Sequence, residues 1–415
     1  MPSQEQSQVQ NGALVFPSAE YARKLGSALT QAARQFGGDL LKSNDILDLE
    51  TQVPIASGQV LFRVIVARHG RDGEVLGAVA GEDGISVTGI MESRPGVILV
   101  VSAGDGGTGG CGRGGNGGIV RAKSLSRRGS LIAFGGHGGS GGARESVCAA
   151  IHGSLASARA LDAEAQPDTE KVERGRNGED GGDGGDAQAF TEECSLESVQ
   201  AYGGNGGNGV VPEPGAPFPH NFGGHGGTGG TATADCGPSQ KTGPCNAVAV
   251  GGNAGHGASG GNQAGDEVGG NGGYGGPPIN GNITGGGGAA IAISCCGRTS
   301  GVNTGNASAV GGAGGNGGNG GNAVKEGGNG GNGSPGGSAA AITVPGFTSG
   351  TTSAVSGSGG NGGNGGNAIT TAGEGGDGAV AGSVTAQNAC FGFPEEHMTK
   401  GADGKPGTDG NKEKQ

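Results

Sequence analysis

The chain has no tryptophan, three tyrosines and ten phenylalanines, so aromatics make up only 3% of it. A wide core filled by large rings is therefore excluded, because aromatic side chains supply much of the buried area in ordinary cores. Positive charge is scarce too: 25 Lys and Arg stand against 37 Asp and Glu, a formal net charge of −12. That balance argues against a nucleic-acid partner, since phosphate backbones are bound by clustered Lys and Arg. One basic segment, Arg121, Lys123, Arg127 and Arg128, is a local exception and reads as a solvated loop. No run reaches the roughly 18 apolar residues that a membrane-spanning helix needs. The first residues, Met1-Pro-Ser-Gln-Glu-Gln-Ser-Gln8, lack the basic start and apolar run of a secretory signal.

What the chain has in abundance is glycine, 105 of 415 residues, set on a three-residue beat. Residues 314–322, 327–332 and 359–367 read Gly-Gly-Asn without interruption. This is neither the period of about 3.6 of an α-helix nor the period of about 2 of a strand. It is the period of an extended left-handed helix with about three residues per turn, which predicts polyglycine helices. Glycine loses more backbone entropy on folding than any other residue, so an ordered form needs dense backbone hydrogen bonding. A bundle of such helices supplies it. Glycine-rich sequence is often flexible linker. Here the triplet phase is kept over long runs, and the runs alternate with apolar segments such as Ala289-Ala-Ile-Ala-Ile-Ser294.

Four regions are expected. Residues 1–17 are a polar, disordered tail. Residues 18–103 form a small α/β cap, of the kind that repeat architectures need at their ends. Within it Tyr21, Leu25, Leu29, Ala32 and Phe36 share one helical face, and Gly37-Gly38 stops the helix. Residues 60–67, 84–90 and 97–102 are rich in β-branched residues and read as strands. Residues 104–391 are a glycine-rich repeat body, and residues 392–415 a polar tail with collagen-like phase.

Two strand types recur in the body. One runs into glycine triplets, as in Ile132-Ala-Phe-Gly-Gly136, Ala247-Val-Ala-Val-Gly-Gly252 and Ala307-Ser-Ala-Val-Gly-Gly312. The other emerges from them, as in Asp186-Ala-Gln-Ala-Phe190, Gly230-Thr-Ala-Thr-Ala234 and Gly288-Ala-Ala-Ile-Ala-Ile293. The expected fold class is thus a repeat protein: stacked β-hairpins continued by bundled polyglycine II helices, with a small N-terminal α/β cap.

Eight cysteines in a chain poor in core residues suggest disulfides and an oxidising, extracellular or surface location, against the missing signal. The compartment is left open. The candidates are Cys111, Cys148, Cys194, Cys236, Cys245, Cys295, Cys296 and Cys390. Most fall near the end of a strand of the second type, which predicts stapling between units; Cys236 and Cys245 flank a Pro/Gly loop that a bond between them would close. No paired Cys-x-x-Cys spacing marks a zinc site. Loops of the form G-x-G-x-x-G arise here from the triplet beat alone, without the strand–helix setting of a nucleotide site. Residues 181–189 approach a calcium-binding nonapeptide, but that pattern needs a sustained nine-residue period. His137, His225 and His256 occupy the side-chain position of triplets and read as surface polar residues. No catalytic set and no cofactor site is recognisable, so the chain is expected not to be an enzyme.

The Gly-Gly-Asn runs resemble those of proteins built from polyglycine type II helices, among them the snow flea antifreeze proteins and the adhesins at the tips of some phage tail fibres. They also look like the glycine-rich regions of mycobacterial surface proteins. The resemblance covers roughly residues 104–390 and implies a rigid hydrogen-bonded bundle with bare glycine inside and the third residue outside. That third residue is mostly Asn here: Asn316, Asn319, Asn322, Asn329, Asn361, Asn364 and Asn367 form a candidate surface ladder. The antifreeze proteins instead present small apolar residues and Thr. Two functions follow as expectations. One is a non-enzymatic scaffold that assembles with itself into a fibre or coat. The other is a soluble module that binds ice or carbohydrate.

Overall fold

The structure, a computed structural model, describes residues 8–10, 13–15, 19–55, 58–73, 80–91, 96–110, 112–125, 129–142, 178–191, 198–212, 221–237, 245–263, 268–276, 278–279, 282–283, 286–295, 305–346, 350–390 and 395–412. In chain order β1 (Gln8–Gln10) and β2 (Ala13–Val15) precede α1 (Ala19–Phe36) and α2 (Gly38–Ser43). Then come β3 (Ile46–Ile55), β4 (Gly58–Ala67), β5 (Val87–Met91), β6 (Ile98–Ser102), β7 (Val120–Ser124), β8 (Ser130–Phe134), β9 (Ala187–Thr191) and β10 (Ser198–Tyr202). The rest are β11 (Ala232–Asp235), β12 (Asn246–Val250), β13 (Pro278–Ile279), β14 (Asn282–Ile283), β15 (Ala290–Cys295), β16 (Ala307–Val310), β17 (Ala339–Gly346), β18 (Thr351–Val355), β19 (Val384–Cys390) and β20 (Glu395–Thr399).

Two large sheets carry the fold. The first has nine strands in the order β20-β18-β16-β12-β10-β8-β6-β4-β3, and the second has seven in the order β19-β17-β15-β11-β9-β7-β5. All their pairings are parallel except β3 with β4. The expected fold class is corrected by this topology. The two strands of a unit, such as β7 and β8, belong to different sheets and make no hairpin. Among the described residues the regular structure is mostly parallel β-sheet with two helices, not a bundle of polyglycine II helices. The reason is the route of the chain. The loop between consecutive strands crosses from one sheet to the other, and the glycine segments bring the chain back, so successive passes through one sheet run the same way.

The two sheets face each other over a core of small residues. Val101, Ala133, Ala201, Ala249, Ala309 and Ala354 follow one another in register across the first sheet. Ala122, Ala189, Ala234, Ala292, Ala341 and Ala386 do the same across the second. A neighbouring row shrinks along the stack, from Leu99 and Leu131 through Val199 to Ala247 and Ala307. Sheets with ordinary side chains pack about 10 Å apart. Alanine on both inner faces lets the sheets approach more closely, as the glycine segments beyond them require. A second core holds the only long helix among the described residues. There Leu25, Leu29 and Ala33 of α1 pack on Phe62, Val64, Val66, Ile98, Val100 and Ile132, on the outer face of the first sheet. Gly26 allows the close approach, since a Cβ there would lie 3.1 Å from the Phe134 ring. Phe36, which the spacing places on the apolar face, is instead 87% exposed.

Candidate functional site

Each strand of the first sheet except the edge strand β3 continues into a glycine-containing segment, and each strand of the second sheet emerges from one. The segments lie in two layers that extend the two sheets. Their backbone bonding follows the triplet. In residues 317–321, Gly317 and Gly320 donate sideways to the carbonyls of Asn361 and Asn364 in the next row, both at 2.8 Å. Gly318 and Gly321 donate across to the other layer, to Gly273 O at 2.8 Å and Gly270 O at 2.7 Å. A side chain on either glycine is sterically barred: a Cβ on Gly317 would stand 1.9 Å from Gly331 O, and one on Gly318 1.9 Å from Ala258 O.

The third N–H of the triplet finds its acceptor on a side chain. Asn361, Asn364 and Asn367 donate from their backbones to Oδ1 of Asn316, Asn319 and Asn322, at 2.9, 2.9 and 2.7 Å. Asn361, Asn364 and Asn367 in turn accept from the backbones of Lys405, Thr408 and Asn411. Asn329 accepts from Glu374 N at 2.9 Å. All seven residues of the candidate ladder are thus brought into the glycine layers, and each uses its side-chain oxygen within the fold. Sequence reasoning placed these side chains outward but missed that oxygen's role. The available signal was that almost every residue at this position carries a short acceptor.

Other residues do the same job. His137, His225 and His256 accept through Nδ1 from the backbones of Asn205, Tyr274 and Asn316, at 2.9, 2.9 and 3.0 Å. Asp180, Asp183 and Asp186 accept from His225, Thr228 and Thr231, at 2.7, 2.8 and 2.7 Å. Asp105 accepts from His137 N at 2.8 Å and lies 3.2 Å from His69 Nδ1. Burial pushes the Asp105 carboxyl up, but the nearby His69 ring and the hydrogen bond from the His137 backbone N–H outweigh it and hold the group down at about 2. For His225 burial dominates and lowers the imidazole pKa, with Asp180 opposing. Among the described residues no group of three His, Cys, Asp or Glu is placed to hold a metal ion.

Cys236 and Cys245 form a disulfide with Cα atoms 6.1 Å apart, joining the end of β11 to the start of β12 and so one sheet to the other. Cys295 and Cys390 are disulfide-bonded as well. Cys111, Cys148, Cys194 and Cys296 lie outside the described residues, as do Arg127 and Arg128. A shallow cleft of about 450 Å³ opens on the layer that extends the second sheet. It is lined by Glu179, Asp180, Phe222, His225, Asn271 and Tyr274, with the His225 and Tyr274 rings stacked 5.0 Å apart.

The outward positions of the layers therefore form regular grids. Rows are spaced as strands are, about 4.8 Å apart. Asn316, Asn319, Asn322, Asn361 and Asn364 are exposed. With Oδ1 fixed by the next row, each carboxamide is held in one orientation, and its Nδ2 has no protein acceptor among the described residues. The grid is an array of oriented N–H donors.

No family model matches the chain, and no curated protein matches it. Among solved structures the chain is similar to a springtail antifreeze protein from Granisotoma rainieri, described as a nine polyproline type II helical bundle on which crystal waters match the ice lattice. The identity is 26%, the match covers 46% of this chain and 96% of that one, and the TM-score is 0.15. Of the resemblances read from the glycine runs, this is the one that a solved structure supports. At that TM-score the likeness carries no argument about fold or function. No helix among the described residues is long and apolar enough to cross a membrane.

Proposed function

We propose that the protein is a non-enzymatic surface-interaction protein, whose glycine layers present their polar grid to an ordered hydrogen-bonding surface, with ice as the ligand. The observation that supports this reading is the fixed orientation of the Asn carboxamides. A donor held by its neighbour loses little rotamer freedom on binding, and preorganisation of this kind lowers the cost of association. A flat lattice of acceptors is the partner such a grid fits, and ice is one made of water oxygens.

The test uses the full chain and the substitutions Asn319→Asp and Asn364→Asp. Aspartate keeps the oxygen that the next row needs and removes the two outward N–H donors. Thermal hysteresis or inhibition of ice recrystallisation is expected for the natural chain and is expected to fall at least twofold in the double variant, with an unchanged melting temperature. No ice activity in the natural chain would overturn the assignment to ice; binding to an insoluble polysaccharide in its place would move the reading to carbohydrate.

A further inference from the structure

One edge of the stack is built differently from every row inside it. Among the described residues, 401–411 form the outermost row there, continuing from β20. Its inner side follows the common pattern. The backbone N–H groups of Gly359, Gly362 and Gly365 donate to the carbonyls of Ala402, Lys405 and Thr408, at 2.9, 2.9 and 2.8 Å. Gly404, Gly407 and Gly410 donate across to the carbonyls of Ala379, Gly376 and Gly373, at 2.7, 2.8 and 2.9 Å.

Its outer side departs from that pattern at each place where another row would attach. Interior rows put a sideways-donating glycine, or in a few places alanine, after the outward residue, as Gly359, Gly362 and Gly365 do. Here those places hold Asp403, Pro406 and Asp409. Proline has no N–H to donate. The two aspartates turn back onto the sister layer, where Oδ1 of Asp409 accepts Gly375 N at 2.9 Å and Oδ1 of Asp403 accepts Ala381 N at 2.8 Å. Gly375 and Ala381 correspond to Gly330 and Gly336 one row inward, which donate sideways to the carbonyls of Glu374 and Val380. The aspartates thus occupy the donors that another row would have used. One outward residue changes as well: Lys405 stands where the two rows inward carry Asn361 and Asn316, and it has no side-chain acceptor for a following N–H. The adjoining strand β20 is exposed and carries Glu395, Glu396 and His397.

The opposite edge is complementary. His69 and Asp72 already serve as outward residues there, accepting the backbone N–H groups of Asp105 and Thr108 at 2.8 and 2.7 Å. In interior rows the carbonyls at this position receive the sideways bonds of the row before. A second copy would bring those carbonyls, of which that of His69 already accepts Arg68 Nη1 at 3.1 Å, to the 401–411 edge.

We infer that residues 401–411 are an end cap that closes this edge against a second copy of the chain and fixes the length of the stack. Unpaired backbone edges recruit further chains unless charge, proline or a covering segment blunts them, and this row uses both proline and charge. The inference goes beyond the ice reading and does not depend on it.

The test is the full chain with Asp403→Gly, Pro406→Gly and Asp409→Gly, compared with the natural sequence by sedimentation velocity over a hundredfold range of concentration. A single species at all concentrations is expected for the natural chain, and concentration-dependent growth for the variant. A natural chain that itself grows end to end, or a folded variant that stays a single species, would overturn the cap. A second measurement covers a variant that fails to fold. Asp409→Ala in the otherwise natural chain is expected to speed amide exchange at Gly375 at least tenfold, leaving Gly330 unchanged. Equal exchange at Gly375 with and without Asp409 would also overturn it.

Discussion

At the scale of the residue, the triplet is a solution to a counting problem. Every backbone N–H needs an acceptor, and a triplet has three. Two are glycines, whose missing side chains let them reach the carbonyls of the adjacent row and of the facing layer. The third residue must keep a side chain, and its own N–H is met by the side chain of the row before. Asn, Asp and His alternate in that role because each offers a short acceptor. His225 makes the choice measurable. Its Nδ1 accepts Tyr274 N at 2.9 Å, which only an unprotonated nitrogen can do. Burial lowers its pKa in the fold below the ordinary value of about 6.5. The unfolded chain then binds more protons than the folded one, so the stability tied to His225 is full above about pH 6.5 and is lost as pH falls through the depressed value. Urea unfolding of the natural chain and of His225→Asn, at pH 7.5 and pH 5, isolates this contribution. Asparagine keeps an acceptor that does not titrate, so the variant is expected to lose less of its unfolding midpoint on acidification. Parallel losses would mean that the Nδ1 contact is not formed. His225, half-buried against Tyr274, is not the surface residue expected of it, whereas the exposed position of Asn316, Asn319 and Asn322 was legible in the Gly-Gly-Asn beat. The use of their oxygens was not, because it links residues about 45 or 60 positions apart.

At the scale of the element, the strands that flank the glycine segments of the body were legible and their partners were not. The segments that run into glycine all lie in the first sheet, and those that emerge from it all lie in the second. The helix over 19–36 was read from its apolar spacing, and the segment at 97–102 gave β6. The alternation in Ile46-Leu-Asp-Leu-Glu50 was passed over, although it forms β3 and closes one edge of the first sheet. Hairpins were expected because short loops ordinarily join paired strands. Short loops also suffice to cross between two sheets that lie close together, and only the alanine rows betray that closeness. Ala249 sits fully buried between Ala201 and Ala309. Ala249→Leu would force the sheets apart where they must hand over to directly bonded glycine layers. A loss of about 3 kcal/mol is expected, the upper end of ordinary overpacking. Val248→Leu, on the half-buried outer face of the same strand, is expected to change stability by under about 1 kcal/mol. Equal effects at the two positions in chemical unfolding would show that the inner face has room to relax.

At the scale of the whole molecule, the balance of forces differs from that of an ordinary domain. The inner rows dwindle to alanine, aromatics are 3% of the chain, and glycine contributes 105 residues with no apolar side chain to bury. Order in the glycine layers therefore rests on backbone hydrogen bonds, each worth about 1 kcal/mol net. These bonds must offset the large entropy that glycine loses on folding. The Cys236–Cys245 link and the bonded Cys295 and Cys390 reduce the freedom of the unfolded chain and so lessen that loss. The arrangement has a calorimetric consequence. The heat capacity of unfolding rises with exposed apolar surface and falls with exposed polar surface, and ordinary proteins reach about 12–15 cal/mol/K per residue. Here unfolding exposes much backbone and little hydrocarbon, so the value per residue is expected to lie clearly below that range, with disulfides intact. The stability curve should then be flatter in temperature, with less weakening on cooling than a large apolar core would show. A heat capacity within or above the ordinary range would mean that the hydrocarbon under α1 and between the sheets, and not the glycine layers, carries the cooperative unit.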